Sequence, residues 1–149
     1  MSLTQHGVDS TSTLTLAQKA ALARSLARRH GAVVLLTGKT DILSDGRRTL
    51  RVDNGHELLG IITGTGCALG TAVSAAVAAH PGDALAAAVA ATAMYGVAAE
   101  MAAGRDEVRG PGTFVPAFLD ELYAVRKATA GGDMRWTTLV KVQAMEVEE

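Results

Sequence analysis

The feature that most constrains the fold is the glycine-rich turn Gly64-Thr65-Gly66-Cys67, which we call the GTGC turn. The apolar residues 58–62 before it predict a short strand, and the small residues 68–79 after it predict a helix. Main-chain N–H groups at a helix N-terminus have no partner inside the helix, so such a turn is a ready site for an anion. A cysteine in this place also lies at the positive end of the helix, which favours its thiolate. A phosphate cradle beside a candidate base predicts phosphoryl transfer.

The segment before the turn predicts a helix, a strand and a hairpin. Residues 14–30 carry apolar side chains at helical spacing, and Gly31 follows them as a stop signal. Residues 32–36 form a short continuous apolar run, which is typical of a strand buried on both faces. Asp45-Gly46 separates the extended runs Asp41–Ser44 and Thr49–Val52, and an Asp-Gly pair in this position is a strong hairpin signal.

The segment after the turn is predicted to be helical. The helix at residues 68–79 ends before Pro81-Gly82, and Asp83 caps a longer alanine-rich helix to about residue 103. A loop at residues 110–112 precedes a helix at residues 113–127, whose inner face we expect to carry Phe114, Phe118, Leu119, Leu122 and Tyr123. Residues 136–147 predict a final strand or a tail. Helices that alternate with strands and a hairpin predict an α/β domain with a mixed sheet.

The composition excludes several classes of protein. A chain of 149 residues corresponds to one domain or to part of a larger one, and 48% apolar residues are enough for a core. The net charge of −1 gives no basic surface for nucleic acid or for an anionic membrane. The single cysteine excludes an internal disulfide and indicates a reducing compartment, so we expect a cytoplasmic protein. No strongly apolar run reaches the length of about 18 residues that a membrane span needs.

The segment Thr37-Gly38-Lys39-Thr40 contains the letters of a P-loop, but its spacing does not fit one. A P-loop needs an earlier glycine at the position of Val33, which lies inside the apolar run. No helix is predicted after Thr40 either. The segment is then either a simple exit from a strand or a nucleotide contact by Thr37 and Gly38 at the carboxyl end of a parallel strand.

The residues alone leave the role of the GTGC turn open. Its glycines do not match a dinucleotide fingerprint, because the third glycine, Gly70, comes one residue late. The turn is therefore either structural or an anion site. Cys67 is either a small core side chain or a reactive thiol, and its place at a helix N-terminus favours the thiol. The histidines show no metal-ligand spacing and no carboxylate pair stands out, so we predict no metal ligands.

Separated motifs along the chain follow one recognisable order. They are Gly7-Val8-Asp9-Ser10, Thr37-Gly38 with Asp41, Asp45-Gly46, Asn54-Gly55-His56, Thr63 with the GTGC turn, and Gly110-Pro111-Gly112-Thr113-Phe114. In this order they resemble the carboxyl-terminal half of hydroxyethylthiazole kinase, an enzyme of the thiamine pathway, over about residues 7–127. The resemblance implies a ribokinase-like, three-layer αβα domain that is incomplete in this sequence. Residues 128–149 are then a tail or an extra terminal element.

The resemblance also implies a reaction and the residues that carry it. The γ-phosphate of ATP moves to the alcohol of 4-methyl-5-(2-hydroxyethyl)thiazole, with Mg²⁺ as cofactor. Cys67 matches the family's catalytic base, Gly64 a substrate-contacting glycine and Thr37 an ATP-contacting threonine. The N–H groups of Gly66 and Cys67 then form an anion hole for the moving phosphoryl group. The resemblance further implies a homotrimer whose sites are shared between subunits.

Two alternatives to an active thiazole kinase remain. The related hydroxymethylpyrimidine phosphate kinases carry the same GTGC turn. The chain can also be a non-catalytic half-domain that binds nucleotide weakly or pairs with a complementary half. In the family, the first strands and most thiazole and magnesium contacts belong to the half not matched here. We therefore expect this chain alone to be incomplete as an enzyme, with an apolar sheet edge along residues 32–36.

Overall fold

The computed structural model describes residues 14–147, which form helices on both faces of a small sheet. The helices are α1 (Leu16–His30), α2 (Leu58–Ile61), α3 (Thr65–Ala79), α4 (Ala84–Ala103) and α5 (Pro111–Ala130). The strands are β1 (Val34–Leu36), β2 (Asp41–Ser44), β3 (Thr49–Val52) and β4 (Val142–Ala144). Short 3₁₀ turns at Pro81–Asp83 and Arg135–Leu139 precede α4 and β4. The motif at residues 7–10 lies outside the described residues.

The two faces of the sheet are covered by different helices. Ile42 and Leu43 are neighbours on β2, so their side chains point to opposite faces. Ile42 packs with Ala20 and Ala23 of α1, whereas Leu43 packs with Leu85 of α4. All five side chains are buried. This is the αβα layering that the sequence predicts.

The sheet has the order β1-β2-β3-β4, and each neighbouring pair is antiparallel. The connections between the first three strands span only residues 37–40 and 45–48, which is too short for the crossover that a parallel pair requires. The parallel strands expected of a mixed sheet are therefore not among residues 14–147. β1 lies at one edge of the sheet, and its three apolar side chains are half-buried. This is the place where the sequence predicts an apolar sheet edge.

Local sequence explains both α1 and the hairpin, and both predictions are confirmed. Thr15 and Gln18 form a reciprocal capping box at the start of α1. Gly31 ends this helix in the left-handed conformation, with a φ of 59°. In the hairpin turn, the carboxylate of Asp45 accepts the backbone N–H of Arg48 at 2.7 Å, which holds the chain in the reversal.

The central helix of the helical layer is α4, which contacts both α3 and α5. Asp83 caps α4, as predicted, by accepting the N–H of Ala86 at 2.9 Å. At Gly96 the absence of a side chain lets the helix approach the end of β3, since an added Cβ would lie 2.6 Å from the Cβ of Asn54. The segment Pro81–Ala103 is long and apolar enough to cross a membrane, but 67% of its apolar stretch is buried inside the structure. This degree of burial is typical of a core helix.

The strand predicted at residues 58–62 is wrong. The segment forms α2, a single helical turn in which the N–H of Gly60 donates to the carbonyl of Glu57 at 2.9 Å. A short apolar run is compatible with either a buried strand or a helical turn, and its periodicity does not separate the two. The next helix, α3, begins at Thr65 rather than at residue 68, so the GTGC turn itself enters the helix.

The inner face predicted for α5 is wrong at two positions. Phe114 and Phe118 are buried, as expected, and their rings stack with centroids 5.5 Å apart. Leu119 and Tyr123, in contrast, are 58% and 61% exposed. The buried stripe of α5 is narrow, and these two side chains lie beside it. α5 also begins at Pro111, so the predicted loop at residues 110–112 is already the start of the helix.

The segment after α5 returns to the sheet. β4 pairs with β3 in antiparallel register. Next to this ladder, the N–H of Asp53 donates to the carbonyl of Lys141 at 2.9 Å, and the N–H of Met145 donates to the carbonyl of Thr49 at 2.8 Å. The segment is therefore attached to the domain by main-chain hydrogen bonds as a fourth strand.

Candidate functional site

The GTGC turn opens α3 in a conformation that favours glycine. Gly64 is the residue before the first helical position, and its φ of 100° lies in the left-handed region. Its carbonyl accepts the N–H of Ala68 at 2.9 Å, which closes the first turn of the helix. A residue with a side chain would be strained at this φ, so the sharp entry into α3 depends on glycine.

The first turn of α3 is uncapped, and Gly66 and Cys67 in this turn are exposed. Gly64 has no side chain to cap this turn, and the described part of the chain shows no side-chain cap at this end of α3. A Cβ built at Gly64, Gly66 or Gly70 meets no heavy atom within 4 Å. The first N–H groups of a helix have no partner inside the helix, and the helix dipole favours negative charge at the same place.

The thiol of Cys67 lies beside these N–H groups. Cys67 is the only cysteine of the chain, it belongs to the first turn of α3, and it is exposed. This exposure excludes the alternative that it is a small core side chain. Its carbonyl accepts the hydroxyl of Thr71 at 3.1 Å within the helix. The turn therefore presents an uncapped helix N-terminus and an exposed thiol together.

The second predicted site segment is the loop after β1. Thr37 is exposed there, and the N–H of Gly38 donates to Oδ1 of Asp41 at 2.9 Å, which shapes the loop. β2 begins directly after this loop, so no helix follows it and the segment is not a P-loop. Leu35 of β1 packs against the core cluster that contains Leu69 of α3. Thr37 directly follows β1 and the GTGC turn opens α3, so both lie at the ends of elements that pack against the same core cluster.

A carboxylate pair that the sequence did not single out lies next to the loop after β1. Burial raises the pKa of Asp41 to about 6, against the opposing effect of the Gly38 N–H, and the negative charge of Asp53 raises it further. Asp53 is held by Arg51 at 3.0 Å and by the hydroxyl of Thr40 at 2.8 Å. The hairpin register places the two aspartates together, because Asp41 pairs with the residue before Asp53.

The described residues contain no group of three candidate metal ligands. Among residues 14–147, no three His, Cys, Asp or Glu side chains come together as candidate metal ligands. Asp41 and Asp53 supply only two carboxylates, and both already accept hydrogen bonds from protein groups. In kinases Mg²⁺ is usually held by one or two carboxylates together with substrate phosphates and waters, so such a pair leaves most ligand positions to phosphate and water.

A buried polar cluster holds the segment that leads to the GTGC turn. Asn54 is 4% exposed; its Nδ2 donates to the carbonyl of Leu139 at 2.9 Å, and its Oδ1 accepts the N–H of Lys141 at 2.7 Å. Glu100 of α4 accepts hydrogen bonds from Nδ2 of Asn54, the N–H of Gly55 and Nζ of Lys141. Burial raises the pKa of Glu100, but these donors outweigh it and hold the pKa below its usual range. No local sequence signal reveals this cluster, because its partners are far apart along the chain.

The αβα layers and the glycine turn at a helix N-terminus are features of α/β proteins that bind phosphate groups. Residues 1–128 match the hydroxyethylthiazole kinase family, and the chain belongs to this family. The resemblance drawn from the motifs is thereby confirmed.

Individual relatives agree with the family match. The chain is 51% identical over 110 residues to the hydroxyethylthiazole kinase of Desulforudis audaxviator, which covers 74% of this chain and 39% of that protein. It is 38% identical over 147 residues to a probable thiamine biosynthetic bifunctional enzyme of Schizosaccharomyces pombe, which covers 95% of this chain and 28% of that protein. The structure of a hydroxyethylthiazole kinase from Pyrococcus horikoshii OT3 matches with a TM-score of 0.74 and 36% identity, over 86% of this chain and 46% of that one.

These matches show which fold the chain has and how much of each relative it covers. The fold is the ribokinase-like α/β type that the family resemblance implies. The chain spans less than half the length of each of these three relatives.

Proposed function

We propose that this chain carries the carboxyl-terminal part of a kinase that transfers the γ-phosphate of ATP to the hydroxyl of 4-methyl-5-(2-hydroxyethyl)thiazole in thiamine biosynthesis. Family membership supports the reaction, and the names of the relatives support the substrate. The observation that carries the proposal is the uncapped start of α3 with an exposed thiol in its first turn. Phosphoryl transfer demands mainly positioning and charge neutralisation, which such a turn supplies.

Each residue of the proposed site has a role that its geometry permits. The N–H groups of Gly66 and Cys67 form the anion hole for the transferred phosphoryl group. The thiol of Cys67 accepts or orients the proton of the substrate alcohol. Gly64 contacts the substrate, since the space beside it is open. Thr37 contacts ATP from the exposed loop after β1.

The phosphoryl donor in this proposal is ATP with Mg²⁺. As the family resemblance implies, the protein ligands of the metal lie in the part of the relatives that this chain does not match. The described residues contribute the anion hole and the base.

We propose that the protein acts in the cytoplasm as a homotrimer with shared sites. Its one cysteine is unpaired, which is typical of a reducing compartment.

The homotrimer is supported by large exposed side chains. They are Ile61, Leu119 and Tyr123, which are 64%, 58% and 61% exposed and can pack against a further partner. Sedimentation velocity measures the assembly, and a monomer at all concentrations would contradict the trimer.

A kinase assay tests the proposed function. The chain is assayed with ATP, Mg²⁺ and the thiazole alcohol, alone and mixed with the amino-terminal part of the Desulforudis audaxviator enzyme. We expect turnover in the mixture only, because the chain corresponds to 39% of that relative. The control mixture contains the same amino-terminal part together with the carboxyl-terminal part of the Desulforudis audaxviator enzyme. An active control beside an inactive test mixture would refute the kinase assignment, and turnover by the chain alone would refute its incompleteness.

A half-domain that binds nucleotide without catalysis is a second candidate function. The observation that favours it is the limited extent of the chain relative to the kinases that it resembles. Isothermal titration with ATP, combined with the assay above, separates the two: nucleotide binding without turnover in the mixture supports the half-domain. A hydroxymethylpyrimidine substrate added to the same assay tests the pyrimidine kinase alternative, which predicts that this compound is the preferred phosphoryl acceptor.

A further inference from the structure

Thr65, the residue between the two glycines of the GTGC turn, is tied to the segment before it. Its hydroxyl oxygen lies 2.6 Å from the carbonyl oxygen of Leu59 and 3.1 Å from that of Ile62. Leu59 belongs to α2 and Ile62 follows it. Because a hydroxyl has one proton, its main acceptor is the nearer carbonyl. This bond fixes the first turn of α3 relative to α2.

The same residue is also tied to the central helix. The hydroxyl of Tyr95 on α4 donates to the carbonyl of Thr65 at 2.8 Å. Tyr95 is 4% exposed, and its ring packs edge-on against Phe118 with centroids 4.8 Å apart. Burial raises the pKa of Tyr95, so its hydroxyl remains a proton donor at neutral pH. The donor is thus held by the packed core rather than by the turn.

The turn has few restraints of its own. Gly64 and Gly66 flank Thr65 without side chains, and no capping side chain among residues 14–147 holds this end of α3. Two hydrogen bonds therefore tie Thr65 to groups outside the turn: its hydroxyl donates to the carbonyl of Leu59, and its carbonyl accepts the hydroxyl of Tyr95. The direction in which the N–H groups of Gly66 and Cys67 point depends on where Thr65 is held.

We propose that Thr65 and Tyr95 are positioning residues that fix the anion hole of the GTGC turn against the packed core. This inference rests on the proposed function, because it assigns the two residues to the orientation of the phosphoryl group. Misplacement of a reacting group by about 1 Å costs roughly 100-fold in rate, so a turn of two glycines needs such anchors. The hydroxyl of Tyr95 is a hydrogen-bond donor whose position is fixed by the core. Because Thr65 lies between Gly64 and Gly66, fixing Thr65 also limits the movement of these two neighbours.

Hydrogen exchange of single amides tests the anchoring without any need for catalysis. The reporters are the N–H groups of Ala68 and Leu69, which close the first turn of α3. In Tyr95→Phe the ring packing remains and only the hydroxyl is lost, so we expect these amides to exchange about 2- to 10-fold faster, the effect of one hydrogen bond. Tyr123→Phe is the matched control, because Tyr123 is 61% exposed. It should leave the exchange rates unchanged.

Thr65 provides the second pair of variants. Thr65→Val removes the hydroxyl and keeps the shape, and it should accelerate exchange at the same amides, whereas Thr65→Ser should restore most of the protection. The amides of β2 and β3 should not respond to any of these changes. Unchanged exchange at Ala68 and Leu69 would overturn the anchoring. A uniform increase across β2 and β3 would also overturn it, since that result indicates a general loss of core stability.

The catalytic consequence is measured in the reconstituted kinase mixture. Tyr95→Phe should lower kcat by about 10-fold or more with little change in the KM for ATP, because the anchor orients the moving group rather than the bound nucleotide. Faster exchange with an unchanged kcat would overturn the positioning role and leave the proposed function intact. If the mixture that contains the unmutated chain showed no turnover, that result would contradict the proposed function. Hydrogen exchange at Ala68 and Leu69 would still test the anchoring of the turn.

Discussion

The close approach of α4 to the end of β3 predicts a large effect of one added methyl group. In Gly96→Ala, the new Cβ would lie 2.6 Å from the Cβ of Asn54 and 2.7 Å from its carbonyl carbon and oxygen. Real Cβ atoms do not approach backbone this closely, so Asn54 must move. Asn54 is held by hydrogen bonds to Leu139 and Lys141, and movement weakens both.

The magnitude follows from opposing contributions. Overpacking of a core costs about 1–3 kcal/mol, and the loss of two hydrogen bonds costs about 1 kcal/mol each. Alanine in a helix gains about 1 kcal/mol over glycine. The net destabilisation expected for Gly96→Ala is about 3 kcal/mol, which corresponds to a fall in Tm of about 6–12 °C for a chain of this size.

Urea unfolding followed by circular dichroism measures the effect, with Gly70→Ala as the matched control. Gly70 lies inside α3, and a Cβ added there meets no heavy atom within 4 Å. Gly70→Ala should therefore gain up to about 1 kcal/mol from helix propensity alone. If Gly96→Ala were as stable as Gly70→Ala, the packing of α4 against Asn54 and the role of the polar cluster would be refuted.

Two further predictions concern a titrating carboxylate and the core. The folded-state pKa of Asp41 is raised to about 6, so its charge destabilises the fold progressively as the pH rises from about 4 to 6. Asp41→Asn should therefore raise the urea midpoint more at pH 7 than at pH 4; an equal change of the midpoint at both pH values would contradict the desolvation of the Asp41 carboxylate. Phe114→Ala should cost about 3–5 kcal/mol, because Phe114 is fully buried, and Tyr123→Ala should change stability by less than about 0.5 kcal/mol. Comparable losses in thermal unfolding would show that the described inner face of α5 is wrong.

The sequence predicted those parts of the fold that depend on local signals. The Asp45-Gly46 pair located the hairpin, and Asp83 located the start of α4, because turn and cap preferences act over a few residues. Residues 58–62 were predicted as a strand, but they form the helical turn α2. A short apolar run has no periodicity that distinguishes a strand from a helical turn. Leu119 and Tyr123 were misplaced because the width of the buried stripe on α5 depends on its neighbours in space.

The candidate site shows the same division. The GTGC turn was visible in the sequence, since a left-handed residue before a helix favours glycine. Its anchor Tyr95 was not visible, because the bond to Thr65 joins residues from different helices. The contacts of Asn54 with Glu100 and Leu139 were not visible for the same reason, because they form only when β3, α4 and the segment before β4 are brought together. Sequence motifs thus located the candidate turn but not the groups that contact it.

The role of Cys67 as base is tested most directly by comparing two variants in the reconstituted kinase mixture. Cys67→Ala removes the proton acceptor and leaves the N–H groups of the turn in place, so turnover should fall by about 100-fold or more. Cys67→Asp places a carboxylate, which also accepts a proton, at the same exposed position and should retain activity. An equal and severe loss of turnover in both variants would contradict the assignment of Cys67 as the base.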